Sequence, residues 1–378
     1  MSSDFAAEDL ALRDAVRGFA QRELRPRAAA LDEAGAFPAE HLPGLAALGL
    51  MGANLPARWG GPGISAIALM LAVEEVAAAC AGTASMLTAH YLATDAILIG
   101  GDDVLRGRYL PPAAAGRALG AYALTEPAAG SNPADLRTRA TREGAQYRLD
   151  GVKHFISNGG VADFVVVFAK TDPAAGHRGI SAFVLDKGTP GFSAAAPEPT
   201  MGVRAGQIFE LRFDQCRVPA ENRIGEEGSG FKTAMRVLDG GRVEVAAMCL
   251  GIAQAAFDEA LSWVKTREIA GHALAAHQGV QWMLADMATE LAAARHLTRH
   301  AAALRETGQR FSTEAAMAKL FASEMAQRVT DRALQLHGGY GYSRRLPLER
   351  YVRDARIMRI YEGASEVQRN LIARDLLR

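Results

Sequence analysis

Between residues 138 and 214 the chain reads as strands following one another with no helix between them. The stretch TRATREGAQYRLDGVKHFIS (138–157) alternates polar and apolar residues and is split by Gly144 and Gly151, a hairpin pattern. Phe164 to Ala169 and Ile180 to Leu185 are apolar runs of strand length. IFELRFD (208–214) puts Phe209, Leu211 and Phe213 on one face and Glu210, Arg212 and Asp214 on the other. A parallel sheet needs a crossover, usually a helix, between successive strands. Strands without crossovers therefore select an antiparallel barrel or sandwich over a βαβ sheet.

Both flanks have the helical period. Leu12, Val16, Phe19 and Leu24 fall near helical spacing, and Pro26 predicts a bend. Further helices are expected over His41 to Leu48, Ile67 to Ala79 and Ser85 to Ile99, with Pro111 and Pro112 punctuating a loop after them. Beyond Arg223, long helical patterns cover roughly 231–267, 277–307, 312–336 and 365–377. The expected architecture is α+β. An N-terminal helical domain (1–119) precedes a middle antiparallel β-barrel-like domain (120–222) and a C-terminal four-helix bundle (223–378).

Charge and cysteine content narrow the function. The 42 basic and 42 acidic residues cancel, so no global field recruits nucleic acid or an anionic membrane. Cys80, Cys216 and Cys249 are far apart, odd in number and form no CxxC pair, which suits buried thiols in a reducing compartment. No window reaches the roughly 18–20 uncharged apolar residues of a membrane span. Acids at Asp4, Glu8 and Asp9 argue against a signal segment, and a cytoplasmic protein is expected. GEEGSGFKT (225–233) misses a phosphate loop because Phe231 separates the second glycine from the lysine. His296 and His300 stand one turn apart, but no further ligand completes a site, so no metal is expected.

Four short segments carry the candidate chemistry. YALTEPAAGSN (122–132), FISNGG (155–160) and LHGGYGY (336–342) are turns rich in small residues, able to bring backbone amides against a planar or phosphorylated ligand. RDARIMRIYEGASEVQR (353–369) sets Glu362 between an aromatic and a glycine. A carboxyl group buried there would be raised toward neutrality and serve as a general base.

With FDQCRVPAENRIGEEGSGF (213–231), LDGGR (238–242) and HQGVQWMLADM (277–287), these segments resemble the acyl-CoA dehydrogenase family over essentially the whole chain. The resemblance implies an FAD enzyme that oxidises an acyl-CoA to the 2-enoyl-CoA, Glu362 taking the α-proton as the β-hydride leaves to the flavin. It implies that Tyr122, Leu124, Thr125, Ser131, Phe155 and Ser157 line the flavin, and that Arg267, Gln278, Gln335, Gly338 and Gly339 hold the rest of FAD. Ser131, Asp239, Arg242, Tyr361 and Gly363 would contact the substrate. Some relatives place the base in the LDxxR helix, where this chain has Gly241. Asn132, Ala270 and Ala364 depart from the Asp, Phe and Thr usual in relatives.

LDGGR, AKLFASE (318–324) and RGISAFVLDKGTPGFS (178–193) look most like the short- and branched-chain branch, such as isobutyryl-CoA dehydrogenases. A role in fatty acid or branched-chain amino acid catabolism, a homotetramer and electron transfer to an electron-transferring flavoprotein are implied with it. The alternatives are an acyl-CoA oxidase, a desulfinase-like relative and an idle acyl-CoA-binding subunit. Glu362 and the intact loops weigh against the last two.

Overall fold

The structure, a computed structural model, describes residues 6–378, so Asp4 lies outside the described residues. Among these, six α-helices come first: α1 (Ala7–Phe19), α2 (Ala28–Ala34), α3 (Leu42–Ala47), α4 (Ala66–Ala79), α5 (Ala81–Gly100) and α6 (Asp103–Ala114). The bend expected at Pro26 lies between α1 and α2, where the chain passes through a wide and then a tight turn. Pro111 and Pro112 do not make a loop. They occupy the last turn of α6, whose Leu105, Tyr109, Leu110, Ala113 and Ala114 are buried. Core burial on that face outweighs the helix hydrogen bonds the prolines cannot donate.

Eight strands follow: β1 (Gly120–Ala123), β2 (Arg139–Glu143), β3 (Gln146–Ser157), β4 (Phe164–Lys170), β5 (Ile180–Asp186), β6 (Phe192–Ala194), β7 (Ile208–Pro219) and β8 (Arg223–Ile224). They pair in the order β6-β7-β3-β2-β4-β5-β8, with β1 beside β4. Most pairings are antiparallel, but β1 runs parallel to β4, and β2 meets β4 in parallel at Arg139 and Lys170. Gly144 is a turn as expected. Gly151 is a bulge inside one long strand instead, where β3 slips register against β7.

The two strand textures have one cause. Val165, Val167, Phe183 and Leu185 face Leu149, Phe209, Leu211 and Phe213 across the inner core. The opposite faces of β4 and β5, with Phe164, Val166, Phe168 and Val184, pack on α5 and α6. Strands covered on both faces read as continuous apolar runs. The outer face of β7 is open, so β7 alternates.

The C-terminal part contains α7 (Gly230–Thr266), the small hairpin β9 (Glu268–Ile269) and β10 (His272–Ala273), then α8 (Gln278–Glu306), α9 (Ser312–His337), α10 (Gly339–Tyr342), α11 (Leu348–Ile357) and α12 (Ser365–Leu376). The sequence pattern missed α11, whose Leu348, Tyr351 and Ala355 are buried between charged neighbours. α7 is long and apolar enough in composition to cross a membrane, yet its most apolar window is 67% buried inside the protein. It is the core helix on which α4, α5, α8 and α9 pack. Small buried residues such as Ala77, Ala246, Ala253 and Ala326 let these helices approach closely, and one core joins both helical regions. The three cysteines are buried and unpaired.

Candidate active site

The turn between α11 and α12 presents Glu362. Its φ is +51°, a backbone region disfavoured for residues with a Cβ, and Gly363 follows at φ +92°, where glycine meets no penalty. Such strain persists only where surroundings over-determine it. Here Gln368 Nε2 donates to the carbonyls of Glu362 (3.2 Å) and Gly363 (2.8 Å), and Lys319 Nζ donates to the Gly363 carbonyl at 2.7 Å. Beside them Tyr361 is anchored through its hydroxyl to Met358 Sδ at 3.0 Å.

The carboxylate points into the protein. Oε2 of Glu362 is closed off from solvent and has no hydrogen-bond partner. Burial pushes its pKa up to about 7, while the charges of Lys319 and Arg242 pull it back. A Cβ placed on Gly241 of α7 would overlap Oε2 and lie 2.8 Å from Leu92 Cδ2 of α5. The helix position where some relatives keep their base thus faces the same point in space as Glu362. Tyr122 Oη and Arg242 Nε in this neighbourhood are also buried and unpartnered. Arg242 Nη1 is held by Asp239 at 2.5 Å, and Ser312 Oγ donates to the other oxygen of Asp239 at 2.6 Å.

Tyr122 reaches the site from β1, Leu124 follows the strand's end, and a buried ion pair fixes the loop after them. Lys153 Nζ of β3 donates to the Leu124 carbonyl at 2.9 Å and to Glu126 Oε1 at 2.8 Å. Glu126 also accepts from the amides of Arg137 (2.5 Å) and Thr138 (3.0 Å), and the Thr125 carbonyl accepts from His154 N. Removing one partner of a buried pair strands the other charge. Lys153→Met should therefore lower stability by about 3–5 kcal/mol in urea unfolding; a loss below about 1 kcal/mol would show that the pair does not hold this loop. A second bulge in β3, between Lys153 and Ile156, turns Phe155 outward at φ +58°, 55% exposed and stacked on His154. Ser157 follows, half-buried, while Ser131 is exposed on the loop.

A separate cavity of about 710 Å³ is lined by Arg267, Gln335, Gly338 and Gly339, with Trp263 and His337 stacked on one wall. Gln278, expected beside them, stands exposed in the first turn of α8 and is not among the lining residues. A second cavity of about 570 Å³, open beside Asp239 and Ser312, is bordered by His177, Arg178, Lys232 and Arg236. Its basic border fits an anionic ligand. Sequence reasoning missed these cations, as well as Lys153, Lys319 and Gln368. The one available signal was a charged residue within an otherwise apolar helix or strand face. His296 and His300 are exposed, and no metal-binding cluster occurs among the described residues.

Comparison with known proteins matches this arrangement. Acyl-CoA dehydrogenase N-terminal, middle and C-terminal domain models match residues 6–117, 121–216 and 228–377. The chain belongs to the acyl-CoA dehydrogenase family. A short-chain-specific acyl-CoA dehydrogenase of Clostridium acetobutylicum is 44% identical over 100% of both chains. An acryloyl-CoA reductase (NADH) of Anaerotignum propionicum is also 44% identical, over 100% of this chain and 96% of that one. The butyryl-CoA dehydrogenase of Megasphaera elsdenii superposes with a TM-score of 0.97 at 41% identity, covering 99% of each chain.

Acyl-CoA dehydrogenases depend on FAD, and this member is an FAD-dependent oxidoreductase. The residues present fit that cofactor: unpartnered buried Tyr122 Oη, exposed Phe155 and the glycine-lined cavity all offer contacts the protein itself leaves unused. Two departures have local effects. Ala270, at φ +52°, shares with Gly271 the two-residue turn of the β9–β10 hairpin. Ala364 starts α12 with no side-chain cap.

Proposed function

We propose that this chain oxidises short acyl-CoA thioesters, of about four carbons in the acyl group, to 2-enoyl-CoA. The observation that carries the reading is the Glu362 carboxyl group, its Oε2 buried without a partner and its pKa raised to about 7, beside the unpartnered Tyr122 Oη and Arg242 Nε. At neutral pH a carboxylate so raised is present in quantity and basic enough to remove a weakly acidic α-proton. Bound FAD supplies the acceptor for the β-hydride. The Glu362 amide donates to no group among the described residues, leaving it free for the thioester oxygen, where one such donor is worth about 2.7–4 kcal/mol. Tyr361 and Gly363 fix the position of Glu362, and Arg242 balances the negative charge of the carboxylate before it takes the proton. Leu124, Thr125, Ser131, Phe155 and Ser157 would bound the flavin ring; Arg267, Gln335, Gly338 and Gly339 would hold the remainder of FAD. The basic cavity beside Asp239 would take the phosphate end of coenzyme A.

Short chain length follows from what stands behind Gly240 and Gly241. A Cβ on Gly240 would lie 3.2 Å from the Arg305 guanidinium carbon. Arg305 bridges Glu244 and Asp95, each at 3.1 Å, and both acids are buried. A long apolar chain would have to displace these paired charges, which is costly. The names of the relatives, short-chain-specific and butyryl, agree. Straight and branched four-carbon groups remain equally compatible with this wall.

Exposed Ile269 and Tyr340 line the glycine-lined cavity, which suits cover by a second copy in a homo-oligomer, a tetramer on the family pattern. An electron-transferring flavoprotein is the proposed acceptor, and a chain in a structure described as the electron transferring flavoprotein of Acidaminococcus fermentans superposes with a TM-score of 0.98 at 42% identity. Anaerobic titration of the holoenzyme with acyl-CoAs, following flavin absorbance, tests the reading. Butyryl- or isobutyryl-CoA should bleach the oxidised band and octanoyl-CoA should react at least about 10²-fold more slowly. Preferential bleaching by octanoyl-CoA would overturn the short-chain assignment.

A further inference from the structure

We propose that Lys319 is a positioning residue for the reaction, clamping the Glu362–Gly363 turn from beneath and lending its positive charge to the Glu362 carboxylate. The proposal rests on Glu362 as the base. Lys319 lies on the inner face of α9 between Ala315, Ala316, Ala322 and Ser323, and is fully buried. A lysine in such a place ordinarily has a carboxylate partner within ion-pair distance. Its hydrogen bond goes instead to a neutral backbone carbonyl, that of Gly363 at 2.7 Å, and no ion pair involves it among the described residues.

The charge is therefore left to act across space. The titratable and charged groups around it and around Glu362 come from four elements. α7 contributes Arg242, Cys249 and Glu244; β1 contributes Tyr122; the turn contributes Tyr361 and Glu362; α12 contributes Glu366. Arg242 is already tied to Asp239, and Glu244 to Arg305. Glu366 is solvent-exposed, whereas Glu362 has a buried oxygen, Oε2, with no partner. Lys319 is the largest influence opposing the effect of burial on Glu362, and is itself pushed down to about 8 by burial.

Clamping and charge separate experimentally, because Gln368 also grips the turn, at both carbonyls, without carrying a charge. A purely mechanical role for Lys319 would be shared by Gln368; an electrostatic one would not. Losing an opposite charge nearby should raise the pKa of Glu362 by about one unit or more. The acid limb of kcat/KM should then move to higher pH in Lys319→Met, stay in place in Lys319→Arg, and stay in place in Gln368→Leu. Lys319→Gln, which keeps a donor but no charge, should behave as Lys319→Met and serves if the methionine variant does not fold.

The carboxyl stretch of Glu362 gives a second readout independent of turnover. It is identified by subtracting the infrared spectrum of Glu362→Gln, then followed against pH in each variant. An unshifted limb together with an unshifted Glu362 titration in folded Lys319→Met or Lys319→Gln would overturn the proposal. Failure of the base assignment has a different mark, since Glu362→Gln would then keep its activity whatever Lys319 does.

Discussion

Glu362→Gln should retain bound flavin and acyl-CoA affinity while losing about 10²–10⁴ or more in kcat, the range that a positioned general base supplies. The substitution conserves size. The turn that carries residue 362 is held through its backbone by Gln368 and Lys319, so neither its strain nor its placement depends on the carboxylate. Stopped-flow reduction under anaerobic conditions isolates the chemical step, and near-normal reduction in the variant would remove Glu362 from the mechanism. The wild-type protein should show the companion pH effect. The reaction needs Glu362 ionised, and its pKa is raised to about 7. Below that value kcat/KM should fall about tenfold per pH unit, and above it should level off. A limb near pH 4.5, the ordinary range for a glutamate, would mean that the carboxyl is not desolvated in the working enzyme.

Gly241→Ala should damage catalysis with little effect on folding. The new methyl group would occupy the position of Glu362 Oε2 and press on Leu92 Cδ2, both ends of side chains that can rotate. The protein accommodates it by swinging the carboxylate aside. A displacement of about 1 Å in a reacting group costs on the order of 10²-fold in rate. The expected result is a fall of that size in kcat/KM with a thermal midpoint near wild type. Unchanged activity would mean that α7 does not face the base; a large loss of stability with normal specific activity would mean that Gly241 serves packing alone.

Much of this was legible in local pattern. The period-two alternation of 208–214 survives as the open-faced strand β7, and the apolar runs at Phe164 and Ile180 survive as β4 and β5. The segment around Glu362 was recognisable because an acid beside an aromatic and a glycine lies within one short turn, where sequence neighbours are spatial neighbours. Prolines 111 and 112 misled for the converse reason. Their local preference is to break a helix, but burial of Tyr109, Leu110 and Ala113 against the β domain overrides it.

By itself the sequence determined the order of helical and strand regions and the family, and it singled out Glu362 as the proposed base, since each is written in spacing along the chain or in contiguous motifs. Tertiary structure alone decided how that base is made useful. Lys319 is 43 residues before Glu362 and Arg242 is 120 before it, yet both charges act on one carboxylate. Gly241 leaves the space that Oε2 enters, and Asp95, Glu244 and Arg305 meet from three helices behind it, the proposed wall of the acyl site. Burial and electrostatic influence depend on distance in space, and no periodicity along a chain encodes which distant residues will share one desolvated pocket.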